Sequence, residues 1–65
     1  MIIKVWEVRN TKGLSLVKLA KRSGISKSAL NNIENGKVSP KLQQLEQIAI
    51  ALESRITDLF DSDYK

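Results

Sequence analysis

The stretch of residues 15–35 constrains the fold most, because it contains two short helical patterns separated by a tight turn. Ser15 is placed to cap the first helix, and Gly24 is placed to end it. Ser26 is placed to cap the second helix, which ends at Asn35. Two short helices joined in this way are the sequence form of a helix-turn-helix, although composition alone does not distinguish this motif from another small helical bundle.

Apolar residues at three- and four-residue spacing predict three further helices. The first covers residues 2–11. Ser39 and Pro40 predict the start of the fourth helix, as a cap and a proline at the first helical position. A short last helix is predicted at residues 56–60, and no alternation is long enough to indicate paired strands. The expected fold is therefore all-α, with five helices in a single domain of residues 1–65.

The composition excludes several classes of protein. The chain has no cysteine and no histidine, which removes disulfides, Cys/His zinc sites and every nucleophile that needs a histidine base. Only carboxylate or lysine chemistry would remain for an enzyme, and no convergent acid/base pair is visible. The sequence therefore predicts a protein that is not an enzyme and that folds without a metal ion or another cofactor.

Charge is distributed unevenly along the chain. Residues 1–41 contain nine basic and two acidic residues, a net charge of +7, whereas residues 42–65 contain two basic and five acidic residues, a net charge of −3. This asymmetry points to a polyanion such as nucleic acid or to an anionic membrane surface, with a solvated basic face as the alternative. Charged residues interrupt the first nine positions, so no signal peptide or membrane span is expected and the predicted location is cytoplasmic.

The third helix, at about residues 26–35, has small polar groups on its exposed face. Lys27, Ser28, Asn31 and Asn32 lie there, and no glutamate precedes Glu34. These side chains are short or flexible donors and acceptors, which suits them to base edges and phosphates. A solvated helix surface is the alternative interpretation.

With these features the sequence resembles the Cro and lambdoid-repressor type of helix-turn-helix domain, also called the xenobiotic-response-element family. The matching segments are VWEVR (5–9), GLS (13–15), LA (19–20), SGISKS (23–28), IENGK (33–37), SP (39–40), IAIAL (48–52) and DLF (58–60). The resemblance implies a five-helix, lambda-repressor-like domain that binds double-stranded operator DNA with its third helix in the major groove. It also implies a sequence-specific transcriptional regulator that acts as a homodimer on a palindromic operator. The alternative is a protein-interaction or antitoxin-like module that has kept the fold.

The resemblance implies two groups of DNA contacts. The residues placed to contact base edges are Lys27, Ser28, Asn31 and Asn32. The residues placed to contact phosphates are Ser15, Lys18, Ser26, Asn35, Lys37 and Lys41. Lysine can donate to guanine and asparagine can pair with adenine, so a purine is expected in the half-site. For the serine at position 15, a plain helix cap explains the residue equally well.

Other positions are implied to be structural. Arg9 and Glu34 resemble the paired charges of the family, which link the first helix to the end of the third. Glu53 stands where relatives usually have glycine, and Arg55 where they usually have the serine cap of the last helix, so the closing turn departs from the family pattern. Trp6 is expected to cover the core.

A second copy is expected because one short helix reads too few base pairs to select a site in a genome. The surface expected to contact it comprises Ile56, Leu59, Phe60 and Tyr64, with Ile3 and Trp6 as the alternative.

Overall fold

The computed structural model describes all residues, 1–65, and contains four α-helices. They are α1 (Val5–Thr11), α2 (Leu16–Ser23), α3 (Lys27–Glu34) and α4 (Leu42–Leu52), and they are followed by a single 3₁₀ turn (Ile56–Asp58). Two short strands, β1 (Ile2–Ile3) and β2 (Phe60–Asp61), pair in antiparallel fashion. The prediction of an all-helical helix-turn-helix architecture is confirmed, whereas the prediction of five helices is wrong.

The boundaries of α2 and α3 follow from local hydrogen bonds. The Ser15 hydroxyl accepts a hydrogen bond from the Lys18 backbone N–H at 3.2 Å, and the Ser26 hydroxyl accepts one from the Ala29 N–H at 3.1 Å. Each serine thus satisfies a donor that the first turn of a helix leaves free. Gly24 ends α2 with a φ of 74°, in the left-handed region that glycine adopts without steric cost. The chain can therefore turn sharply between the two helices.

The apolar sides of all four helices meet in one core. Leu19, Leu30, Ile33 and Ile48 are almost completely removed from solvent, and they lie at the positions that helical spacing places on the inner faces. Helix α2 packs against both α3 and α4. The core is thus centred between the helix-turn-helix and α4, and it leaves the other side of α3 free.

The two ends of the chain pair with each other as short strands, so the prediction that the chain has no paired strands is wrong. Ile2 lies opposite Asp61 and Ile3 opposite Phe60, and the Lys4 backbone N–H donates to the Leu59 carbonyl at 2.7 Å. The backbone groups of the first residues are therefore satisfied by the returning C-terminal segment and not by a helix. As a result α1 begins at Val5, not at residue 2.

The last predicted helix is only a 3₁₀ turn, and it covers residues 56–58. The Asp58 carboxylate accepts a hydrogen bond from the Arg55 backbone N–H at 3.0 Å, which fixes the start of the turn. Because the following residues pair with the N-terminal strand, the helix cannot continue to Phe60.

Helix α4 begins two residues later than predicted. Lys41 is its N-cap and Leu42 its first residue, so Ser39 and Pro40 precede the helix. The side-chain oxygen of Gln44 accepts a hydrogen bond from the Lys41 backbone N–H at 2.8 Å. This hydrogen bond links the third residue of the helix to the N-cap residue, and it fixes the start of α4.

Two expectations about apolar side chains are also wrong. Trp6 is 54% exposed, so it does not close the core. Leu59 is 0% exposed, so it belongs to the core and cannot contact a second copy. None of the four helices is long and apolar enough to cross a membrane.

Candidate nucleic-acid interface

The exposed face of α3 carries the residues that the sequence predicts to contact base edges. Lys27, Ser28 and Asn31 are exposed and Asn32 is half-buried. Residues four apart lie one above the other on a helix, so Lys27 aligns with Asn31 and Ser28 with Asn32. The structure therefore brings all four predicted side chains together on the side of α3 that faces away from the core.

One of these side chains is engaged within the helix. The Asn31 side-chain oxygen accepts a hydrogen bond from the Asn35 side-chain amide at 3.3 Å. This bond uses one acceptor position of Asn31 and leaves its own two amide hydrogens for an outside acceptor. The Asn31 side chain therefore has one acceptor position fewer for a ligand than the Asn32 side chain has.

The loop that follows α3 is held by the helix itself. The Asn32 carbonyl accepts hydrogen bonds from the backbone N–H groups of Lys37 at 2.9 Å and Val38 at 3.4 Å, and Gly36 permits the turn with a φ of 74°. The side chains of Lys37 and Lys41 are exposed. Neither takes part in a salt bridge, because the structure contains a single one, between Arg9 and Glu34. Two uncompensated cations thus follow the C-terminal end of α3.

The start of α2 carries the remaining predicted phosphate contacts on a separate element. Ser15 and Lys18 are both exposed there, but the Ser15 hydroxyl already accepts the Lys18 backbone N–H. Lys21 and Arg22 are exposed in the last turn of α2. Both residues belong to the basic excess of residues 1–41, but the sequence predicts no role for them, and their charge is the only signal that could have singled them out.

Arg9 connects the start of α2 with the end of α3. Its Nε and Nη2 donate to the two carboxylate oxygens of Glu34, the last residue of α3, at 2.7 and 3.0 Å. Its Nη1 donates to the carbonyl of Leu14 at 3.0 Å, immediately before the cap of α2. One side chain of α1 therefore fixes the end of α3 relative to the start of α2.

The environment of Arg9 keeps its guanidinium charged. The hydrogen bond to Glu34 raises the pKa of Arg9 above its ordinary value, partial burial opposes that shift, and the charge of Glu34 adds to it. The net shift is upward because the paired carboxylate outweighs the loss of hydration. No three acidic side chains lie close enough together to hold a metal ion.

Two capped helices that are joined by a tight turn define a helix-turn-helix domain when the second helix is buried on one side and polar on the other. The helix-turn-helix family model matches residues 7–59. The chain therefore belongs to the helix-turn-helix family of the Cro and repressor type, as the sequence resemblance predicts.

Characterised proteins resemble this chain over most of its length. The HTH-type transcriptional regulator SlrR of Bacillus subtilis is 43% identical over 56 residues, which are 85% of this chain and 37% of SlrR. The chain thus spans well under half the length of that regulator.

Two solved structures share the fold. The restriction-modification controller protein C.AhdI from Aeromonas hydrophila is 33% identical with a TM-score of 0.83, over 88% of this chain and 86% of that one. The N-terminal DNA binding domain of SinR from Bacillus subtilis is 32% identical with a TM-score of 0.82, over 95% of this chain and 91% of that domain. SlrR and SinR of Bacillus subtilis are both HTH-type transcriptional regulators.

Proposed function

We propose that this protein is a sequence-specific DNA-binding transcriptional regulator that places α3 in the major groove, and that it is not an enzyme. The observation that carries the proposal is the polar face of α3, on which Lys27 and Ser28 are exposed and Asn32 is half-buried. The major groove of B-DNA is about 12 Å wide and admits one helix. The similarity to the DNA binding domain of SinR supports this assignment.

The first turn of α3 enters the groove in this proposal. Lys27 donates to guanine O6 and N7, Asn32 pairs with adenine, and Ser28 accepts or donates as the base requires. Asn31 contributes its amide hydrogens, because Asn35 already occupies part of its oxygen. A guanine acceptor or a phosphate therefore suits Asn31 better than the paired edge of adenine does.

The phosphate contacts lie at both ends of α3, at the start of α2 and at the start of α4. The contacts assigned here are Ser15, Lys18, Ser26, Asn35, Lys37 and Lys41. The capped helix starts carry a partial positive charge that favours an anion. Arg9 keeps the start of α2 and the end of α3 at a fixed separation, so the phosphate contacts on these two elements can be made together.

A homodimer on a palindromic operator follows from the size of one copy. The longest dimension of the Cα trace is 31 Å, and the chain has one helix-turn-helix. Half-sites one helical turn apart are separated by ~34 Å. One copy therefore reads one half-site, and a second copy supplies the second α3.

A protein-interaction or antitoxin-like module is the alternative function. Such a module has no need for Lys18, Lys37 and Lys41 as exposed cations without acidic partners. These three side chains favour a polyanion, and together with the α3 face they favour DNA.

Selection of bound sequences from random duplex DNA tests this proposal. The expected result is a purine-containing, two-fold symmetric site, bound with an affinity that falls steeply as salt rises, because each phosphate contact releases counterions. Binding of selected and random duplexes with equal affinity at moderate salt would reject the regulator. In that case the interaction module becomes the better assignment.

A further inference from the structure

Asn35, the C-cap residue of α3, is joined to Asn31 by two hydrogen bonds. Its backbone N–H donates to the Asn31 carbonyl at 3.0 Å, and its side-chain amide donates to the Asn31 side-chain oxygen at 3.3 Å. Because residues four apart are neighbours on a helix surface, the side-chain bond lies along the exposed face of α3. Asn35 therefore decides which end of the Asn31 amide is turned toward the end of the helix.

The turn after α3 holds Asn35 in the position that this bond requires. The Gly36 backbone N–H donates to the Ile33 carbonyl at 3.2 Å. The Lys37 backbone N–H donates to the Asn32 carbonyl at 2.9 Å. The carbonyl groups at the C-terminal end of a helix carry a partial negative charge, which favours a donor there over an acceptor. Asn35 is therefore held with its amide hydrogens, and not its oxygen, directed at Asn31.

No charged side chain of α3 accepts the amide hydrogens of Asn31. Lys27 lies one turn earlier on the same face and has donors only. Glu34 is the only carboxylate of α3, but both of its oxygens bind Arg9, at 2.7 and 3.0 Å. The hydrogen bond from Asn35 occupies the Asn31 oxygen, so the two amide hydrogens of Asn31 remain available to a ligand.

We propose that Asn35 is a positioning residue for base recognition, and that it makes Asn31 read a guanine. This inference rests on the proposed function, since it names the base that one position of the DNA-binding face selects. Asn31 and Lys27 together present donors, and guanine presents two acceptors, N7 and O6, in the major groove. Adenine pairs with asparagine when the side-chain oxygen accepts from N6, and that oxygen of Asn31 is turned toward Asn35.

Asn35 keeps groups for its proposed phosphate contact. It donates one amide hydrogen to Asn31, and its second amide hydrogen remains free. The two roles are therefore compatible. They are separated by the ratio of affinities for two bases, because loss of a phosphate contact weakens binding to every base alike.

The pairing of the two side chains can be tested in the free protein. The NMR order parameter of the Asn31 side-chain amide reports how firmly it is held. Asn35→Ala should lower this order parameter, whereas Asn32→Ala, the same truncation at the neighbouring position, should leave it unchanged. Asn35 has a φ of −87°, which alanine also adopts, so circular dichroism should show the same helix content.

The base preference is tested on selected duplexes. Asn31→Ala locates the base pair that Asn31 reads, as the position at which preference disappears. At this pair the wild-type protein should prefer guanine to adenine by ~10-fold. Asn35→Ala should reduce this ratio at least ~3-fold, since a freed Asn31 can also pair with adenine. Lys37→Ala is the matched control, because it should weaken both affinities and leave their ratio unchanged.

Asn35→Asp reverses the polarity of the bond with almost no change of shape. A carboxylate accepts the amide hydrogens of Asn31, so the Asn31 oxygen turns outward. The preferred base should then change from guanine to adenine or cytosine, whose amino groups are donors. The added negative charge weakens binding to every duplex, and the ratio of affinities removes that common effect.

The inference is overturned if Asn35→Ala leaves the order of the Asn31 amide unchanged, or if guanine stays equally preferred in Asn35→Ala and Asn35→Asp. These failures can be distinguished from failure of the proposed function. A selected duplex at which Asn31→Ala changes no base preference supports the regulator and rejects this inference. A protein that selects no duplex, although Asn35 still orders Asn31, rejects the regulator and with it the reading of guanine.

Discussion

Arg9 binds both carboxylate oxygens of Glu34 and so joins α1 to the last residue of α3. The Arg9 side chain is 12% exposed and the Glu34 side chain is 4% exposed. A charge that loses its partner in such a place cannot recover its full hydration. Because the pKa of Arg9 is raised above its ordinary value, chiefly by its hydrogen bond to Glu34, the stabilisation that depends on the Arg9 charge is fully present at neutral pH, and on the alkaline side it is lost only when strong alkali removes the proton.

The ion pair predicts a large and non-additive effect on stability. Arg9→Ala and Glu34→Ala should each lower the free energy of unfolding by ~3–5 kcal/mol, since each leaves a mostly buried charge alone. Arg9→Ala should be the more severe because it also removes the bond to the Leu14 carbonyl. Denaturant unfolding of both single variants and the double variant measures the coupling. Arg55→Ala, at an exposed arginine without an ion pair, is the control, and losses that simply add would show that the two side chains do not interact.

The end of α4 contains a strained residue that a substitution should relieve. Glu53 has a φ of 53° and is the only residue other than glycine in the left-handed region. Glu53→Gly should raise the free energy of unfolding by ~1 kcal/mol, because glycine adopts this conformation without a Cβ clash. Glu53→Ala removes the charge but keeps the Cβ, so it should give no comparable gain in a thermal melt. Equal gains from both variants would assign the effect to charge.

The next residue along the chain has a buried hydroxyl with no partner. The Ser54 Oγ is inaccessible to solvent and makes no hydrogen bond. An unpaired buried polar group costs ~1–3 kcal/mol, so Ser54→Ala should stabilise the protein by up to about that amount. Ser23→Ala is the matched control, because the buried Ser23 hydroxyl accepts the Ile25 backbone N–H at 3.2 Å. That substitution should destabilise, and a loss of stability in Ser54→Ala would mean that the hydroxyl has a partner such as water.

The helix-turn-helix could be predicted because its determinants are local. Ser15 and Ser26 cap helices through bonds to residues three positions later, and Gly24 ends α2 through its own backbone preference. Helix caps and helix ends of this kind depend on residues only a few positions apart, so they can be predicted without knowledge of the tertiary structure. The exposed face of α3 could be predicted in the same way, from the apolar positions of Leu30 and Ile33 on its other side.

The two ends of the chain could not be predicted, because they depend on each other. Ile2 and Ile3 fit a helical stripe as well as a strand, and only their pairing with Asp61 and Phe60 decides between the two. That pairing joins residues almost sixty positions apart, and no local signal reports it. The bond from Asn35 to Asn31 also escaped prediction, because two exposed amides four residues apart can equally well remain solvated.

The proposed contacts with DNA predict two distinct kinds of loss. Ser28→Ala or Asn32→Ala should reduce discrimination at particular base pairs by ~1–3 kcal/mol, because each side chain reads a base edge. Lys37→Ala should weaken binding to all sequences alike and reduce the salt slope by about one, because it contacts a phosphate. Titration of selected, mutated and random duplexes at several salt concentrations separates the two effects.

Lys12 provides the matched control for this last prediction. It is an exposed lysine of the loop after α1, beside Glu53 and Asp58 and apart from the residues of α3. Lys12→Ala removes the same charge as Lys37→Ala, so a general effect of net charge would change both variants equally. A local phosphate contact should instead change the salt slope for Lys37→Ala alone. Equal slopes for the two variants, or equal loss of base preference in Asn32→Ala and Lys37→Ala, would show that the DNA-binding face is assigned incorrectly.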